Sequence, residues 1–336
     1  MVAYMELNSK ILTTDRQIHL DVACGILIIY MIFWHCSQLS HATDFAFAKI
    51  ASRIFFFFMP WFFFKAGMFF KQGRAIKDVF FSKCSRLIKP FVIYTFIGHL
   101  FYCMKIYLEG CRDVLYYTWF PIKSILVSGA CGANAPLWFL LSLFVVILIA
   151  TAGDKFLNIR FLLLLGGGAM ILNKVGFEKP FWCANICSGA FFFAMGFLLN
   201  GLQYKRKLVI LSAVIYLFNI VFPSAVDMNR NILYCGWYGS WLISSAAACV
   251  LFNNISLLYC KRFHTNAFFE KIGKNSMFYY CTHWIVLLVA TILLHLLDIN
   301  FSPFILLLYY CISIVLFSVV WNICCSFFRH KIWKKI

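Results

Sequence analysis

Leu20-Asp21-Val22-Ala23-Cys24-Gly25-Ile26-Leu27-Ile28-Ile29-Tyr30-Met31-Ile32-Phe33-Trp34-His35 is an apolar run with an acid at one end and an imidazole at the other. With its flanks, 19–40, it has the ~20 residues that a helix needs to cross a bilayer. A polar group at that depth has no water to bond to and must find its partner inside the protein. An ionisable side chain within a span is therefore a candidate for function. The run points to an integral membrane protein with His35 at its chemical centre.

The rest of the composition agrees. Of 336 residues, 63% are hydrophobic and 12% charged, mean hydropathy is +0.85, and Phe alone supplies 40. Soluble domains carry about a quarter charged residues, so the fold class read here is an all-α polytopic membrane protein. The net charge of +18 could indicate nucleic acid, but the cations gather in short loops between apolar runs, as cytoplasmic loops do. Such loops attract anionic lipid and phosphate ligands instead, and no nucleic-acid partner is expected. The 15 cysteines show no repeated CxxC pairing, and no zinc spacing, phosphate loop or dinucleotide fingerprint appears, so no metal is expected. Cys103, Cys111 and Cys131 flank one outer loop, where a disulfide would be feasible. No small-residue cleavage pattern follows the first run, which reads as an uncleaved span.

Ten apolar segments follow one another at approximately 19–40, 50–70, 90–108, 136–152, 159–175, 185–202, 208–223, 237–258, 276–297 and 303–327. The fourth and seventh are short, and Gly166-Gly167-Gly168 interrupts the fifth. No repeat, linker or soluble domain is visible, so residues 1–336 read as one membrane domain with its core at 19–327. Alternate sides hold 21 and 8 of the 30 basic residues, with Lys65 inside a span. The positive-inside rule then puts both termini in the cytoplasm.

This orientation fixes depths. At ~1.5 Å per residue, His35 lies about 20 Å beyond Asp21, in the outer third of the membrane. Lys65 comes near the inner end of the second span, at about the depth of Cys24, and Pro60 is expected to kink that span. Lys71, Arg74, Lys77, Lys83, Arg86 and Lys89 make the densest cationic patch, interleaved with apolar residues as in a segment lying on the membrane surface. Ser276 reads as an N-cap, with His283 about two turns into the ninth span. Outer loops carry Trp119, Trp138, Trp182, Trp237 and Trp241, most simply an interfacial belt.

Taken together, four stretches resemble the acyltransferase-3 family of ten-helix membrane acyltransferases, especially its stand-alone sugar O-acetylases of the fucose 4-O-acetylase type. They are Leu20-Asp21 leading to His35; Met59-Pro60 with Phe62-Phe63-Phe64 and Gly67; Arg86-Leu87-Ile88-Lys89-Pro90; and Ser276, Tyr280 and His283. Trp138-Phe139-Leu140 adds a weaker match. One position departs: the family has Arg or Lys eleven residues before the histidine, where this chain has Cys24. Lys65, at the same depth on the neighbouring helix, is the candidate replacement.

The resemblance implies transfer of an acetyl group from acetyl-CoA to a hydroxyl of a capsular, exopolysaccharide or lipid-linked carbohydrate at the cytoplasmic membrane. An imidazole suits removal of the hydroxyl proton, which assigns His35. Lys65, Lys71, Arg74, Lys83, Arg86 and Lys89 would hold the donor's phosphates, Arg being the better fork. Tyr280, His283 or Lys65 would face the developing oxyanion, and Trp138 or Trp241 could stack on sugar. Each has a plainer reading beside it: a hydrogen-bonded core histidine, a packed tyrosine, topological cations, belt tryptophans. Self-association is allowed. A transporter or flippase for lipid-linked sugars, and transfer of succinyl or to an amine, remain the alternative readings.

Overall fold

The computed structural model describes residues 17–110, 112–130, 132–177, 180–263 and 267–333. Among the described residues the protein is all-α apart from one small hairpin, and eight helical stretches, some of them made of consecutive helices, are long and apolar enough to cross a membrane. The fifth and seventh expected segments are the shorter helices Phe161–Lys174 and Arg206–Val221. In chain order the helices are α1 (Ile18–Leu39), α2 (Ala46–Ile54), α3 (Phe58–Met68), α4 (Ile76–Lys83), α5 (Lys89–Leu108), α6 (Val114–Ser128), α7 (Trp138–Phe156), α8 (Phe161–Lys174), α9 (Phe181–Leu199), α10 (Arg206–Val221), α11 (Tyr238–Phe263), α12 (Ala267–Lys274), α13 (Ser276–Leu296) and α14 (Pro303–Trp333).

Several elements differ from the sequence expectation for local reasons. The second segment is two helices, broken at 55–57, so Pro60 falls in the first turn of α3, where its missing N–H costs little. A π turn over Cys84–Ile88 joins α4 directly to α5, so the cationic patch runs into the membrane without a loop. The supposed outer loop after α5 contains α6, capped by the Asp113 carboxylate, which accepts from the Tyr116 N–H at 3.0 Å, and ended by Gly129 at φ +73°. Those start and stop residues are the signals that locate it. The fifth segment is continuous through its glycines: only Gly166 packs closely, against Phe191, while Gly167 and Gly168 face open space. Asn275, not Ser276, occupies the N-cap of α13, without a side-chain cap. Residues Ala225–Asp227 and Ile232–Cys235 pair antiparallel as β1 and β2. Their turn is held by the Asp227 carboxylate, which accepts from the N–H groups of Asn229 and Arg230.

Two ends of the bundle can be told apart by their contacts. At one, the Asp154 carboxylate accepts from the Gly73 N–H at 2.9 Å, Asn200 donates to the Met68 carbonyl, and His19 bonds Tyr204. At the other, Trp182 donates to the Leu126 carbonyl and Asn173 to that of Asn231. The first end carries the cation-rich loops and the second the hairpin, which matches the alternation read from the sequence.

α1 is interior. Of its most apolar window 67% is buried, against 17% for α14, and α1 packs on α3, α11, α12, α13 and α14. Two backbone crossings make this density feasible. Gly25 of α1 faces the Phe269 carbonyl and Gly273 of α12 faces the Asp21 carbonyl; Gly67 of α3 faces that of Phe193, and Gly196 of α9 that of Phe64. In each case a Cβ would collide with backbone. Small residues at such crossings let helices approach in the way that lipid-embedded packing requires. Around them Trp61, Phe63, Phe64, Phe192, Phe193 and Trp241 are fully buried. Gly25→Ala and Gly196→Ala should therefore each lower the thermal stability of the detergent-solubilised protein by about 1–3 kcal/mol. Gly167→Ala should leave it unchanged, which a thermal-shift series would check.

Candidate functional site

His35 and His283 meet. Their rings lie 5.2 Å apart between centroids and nearly parallel, at 26°. Trp284 closes one side, edge-on to His35 at 5.2 Å. The depth argument alone set His283 much nearer the inner surface than His35. α12 lays its backbone against Asp21 and Gly25 of α1, and α13 then packs beside α1, where the two rings come together.

Hydrogen bonding fixes the proton on His283. Its Nδ1 lies 3.0 Å from the Tyr279 carbonyl and 2.9 Å from that of Tyr280. Carbonyls only accept, so Nδ1 carries the hydrogen and Nε2 presents a lone pair. That Nε2 is buried with no protein partner, and the residue is 1% exposed. His35 Nδ1 lies 3.0 Å from Gln38 Oε1. With Nδ1 donating to that oxygen, the His35 Nε2 is likewise the basic nitrogen. Gln38 is three residues on along α1, the spacing at which helical neighbours interact. It and Trp284 are the site residues that the sequence reading passed over; the i,i+3 spacing was the signal for the first and adjacency to His283 for the second.

The remaining sequence candidates fall into three groups. Tyr280 is buried and donates its hydroxyl to the Pro136 carbonyl, with Phe139 against its ring. Its polar atom is thus engaged in holding the short 3₁₀ segment Gly132–Leu137 onto α13 rather than free to face an oxyanion. Lys65 Nζ reaches the Leu20 carbonyl at 3.5 Å and lies 5.2 Å from the centre of the Trp61 ring. It therefore sits against α1 about one turn before Cys24. Fifteen residues of helix, about 22 Å, separate Leu20 from His35, so Lys65 is far from the histidine pair.

Lys71, Arg74, Arg86 and Lys89 are exposed and Lys83 half-buried, all at the same end as Lys65. Lys83 lies within the electrostatic field of both Arg86 and Arg74, and the Gly73–Asp154 bond anchors the loop that carries them. Trp138 and Trp241 are buried, the latter edge-on to Phe192 and Tyr238. The stacking role read for them needs an exposed ring face that neither has. Trp119, Trp182 and Trp237 are the exposed members of the expected belt. Cys103 is a free thiol near His99, whereas Cys111 and Cys131 lie outside the described residues. Among the described residues no group of His, Cys, Asp and Glu could hold a metal.

The arrangement is thus a stacked pair of imidazoles, His283 buried and His35 half-buried, with the cationic patch at one end of the bundle and no cation among the ring contacts of the pair. It can take a proton from a hydroxyl brought against it. Comparison with curated proteins and with solved structures returns no match. A family model described as an acyltransferase domain matches residues 18–322, which takes in both histidines, the cationic patch and the 3₁₀ segment. The chain belongs to the acyltransferase-3 family and is a multi-pass membrane acyltransferase.

Proposed function

We propose that the protein transfers an acetyl group from acetyl-CoA to a hydroxyl of a surface or lipid-linked carbohydrate at the cytoplasmic membrane, with His35 as general base. The observation that carries this reading is the stacked His35–His283 pair with an Nε2 lone pair on His283 fixed by two carbonyls. In the reaction the acceptor oxygen forms a bond to the thioester carbon as His35 takes its proton. The tetrahedral intermediate then expels the thiolate, which regains a proton to leave as the free thiol of coenzyme A. Two parallel imidazoles cannot comfortably both be charged, so one proton serves the pair. Tyr280 is bound to Pro136 and Lys65 lies at the far end, which leaves His283 as the oxyanion candidate: its Nε2 donates once the single proton of the pair has passed to it from His35.

The donor's charged head suits the cationic end, where Arg74, Lys83 and Arg86 converge, with Lys65, Lys71 and Lys89 flanking. Lys65 fills the role of the cation missing at Cys24, from α3 instead of α1. The acceptor sugar would approach from the opposite side.

The direct test is transfer of label from acetyl-CoA to candidate glycans by purified protein. His35→Ala should reduce turnover by roughly 10²–10⁴-fold at unchanged expression and thermal stability; retained transfer would overturn the assignment of the base. Movement of lipid-linked sugar across vesicles without acylation would favour a transporter. Arg86→Ala and Lys65→Met should each raise the donor KM about tenfold at similar kcat, the pattern for lost ground-state binding. Unchanged KM in both would leave the cations a topological role only.

A further inference from the structure

Three elements pack on one another beside the histidine pair: α5, the 3₁₀ segment Gly132–Leu137 and α13. Each contributes a buried polar atom with no protein partner, namely Thr95 Oγ1, Asn134 Oδ1 and His283 Nε2. Thr95 is 8%, Asn134 0% and His283 1% exposed, so bulk solvent does not satisfy them. An orphaned buried polar atom costs about 1–3 kcal/mol, so three of them on elements that pack together point to a candidate ligand site.

The polarity of that site is set by backbone. Asn134 Nδ2 donates to the Cys281 carbonyl at 3.1 Å. A carbonyl cannot accept from Oδ1, so the amide orientation is fixed and Oδ1 is left as an acceptor. The residue is held there by non-helical backbone (φ −142°, ψ 67°). Gly98 of α5 lies against it, with space for a Cβ only 3.1 Å from the Asn134 Cβ. Thr95 is one turn from Gly98 on the same face of α5. Asn134 Oδ1 and His283 Nε2 therefore both ask for a donor, and the Thr95 hydroxyl adapts to either role. No charged side chain is among the three, so a carboxylate or phosphate is disfavoured and a neutral N–H or O–H group fits.

We infer that Thr95 and Asn134 form a subsite, beside His283, for an amide N–H group of the pantetheine arm of the acyl donor. This rests on the donor reading above. Position selects the arm over a sugar hydroxyl: Thr95 stands on the helix that leads directly out of the cationic patch, about 9 Å beyond Lys89. It thus lies between the place for the phosphates and the histidine pair where the thioester must react. Holding the arm there would stop the acetyl group from sliding past His35.

Calorimetric titration of the purified full-length protein with coenzyme A, and with adenosine 3′,5′-bisphosphate, which keeps phosphates but lacks the arm, tests the inference. Asn134→Leu and Thr95→Val should each weaken coenzyme A about tenfold and leave the bisphosphate unchanged, and Thr95→Ser should restore binding. Unchanged coenzyme A affinity in both variants overturns the subsite while the donor reading stands, including the case where only an acceptor KM rises. Equal weakening of both ligands also overturns it, since that reports general packing. No binding of coenzyme A by the wild type removes the donor reading and the subsite with it.

Discussion

A polar side chain inside a bilayer has to be enclosed by protein, and α1 carries several. His19, Asp21, Ser37 and, partly, His35 are removed from solvent along a single helix. With those residues facing lipid, His19 would lose its Tyr204 partner and an acidic Asp21 would stand in hydrocarbon. Enclosure makes α1 the axis of the bundle, and the other elements can be understood by how they cover it. The cover is close because glycines allow backbone contact: Gly25 and Gly273 where α12 crosses α1, Gly67 and Gly196 where α3 crosses α9. The aromatic mass of Trp61, Phe63, Phe64, Phe192 and Phe193 then fills what the crossings leave.

That enclosure produces the chemistry. α13 packs beside α1 and brings His283 onto His35. The same helix anchors the segment that precedes α7, through Tyr280 to Pro136 and Cys281 to Asn134. One short stretch of α13 therefore positions an imidazole, fixes its tautomer and holds a second polar side chain beside it. The cations remain at one end, on the chain that passes through α4 and the π turn into α5 without a break. Separation of charge from the imidazoles follows from this, and the proposed donor, polyanionic at its head and neutral along its arm, would require it. Were the cations beside the histidines, their field would oppose protonation of either imidazole.

His35, the cationic patch and the apolar segments could be read from residue type and spacing, because each depends on position along one helix or on charge in one loop. Gln38 was equally readable at i+3 and was passed over. Asn134 and Thr95 were not readable, since nothing in their own neighbourhood separates an orphaned polar atom from one satisfied by a neighbouring helix. Trp138 and Trp241 show the converse. Their sequence positions near expected loops say belt, and only burial by α9 and its neighbours places them in the core.

The sequence by itself determined that this is a helical membrane protein and that one imidazole stands far along its first apolar segment. Hydropathy and charge are local quantities, and a bilayer acts on each segment separately. The tertiary structure alone decided which imidazole is the partner of His35, which nitrogen of His283 bears the proton, and which polar atoms stay unsatisfied. Those depend on contacts between residues far apart in the chain, set by where glycine lets one backbone touch another.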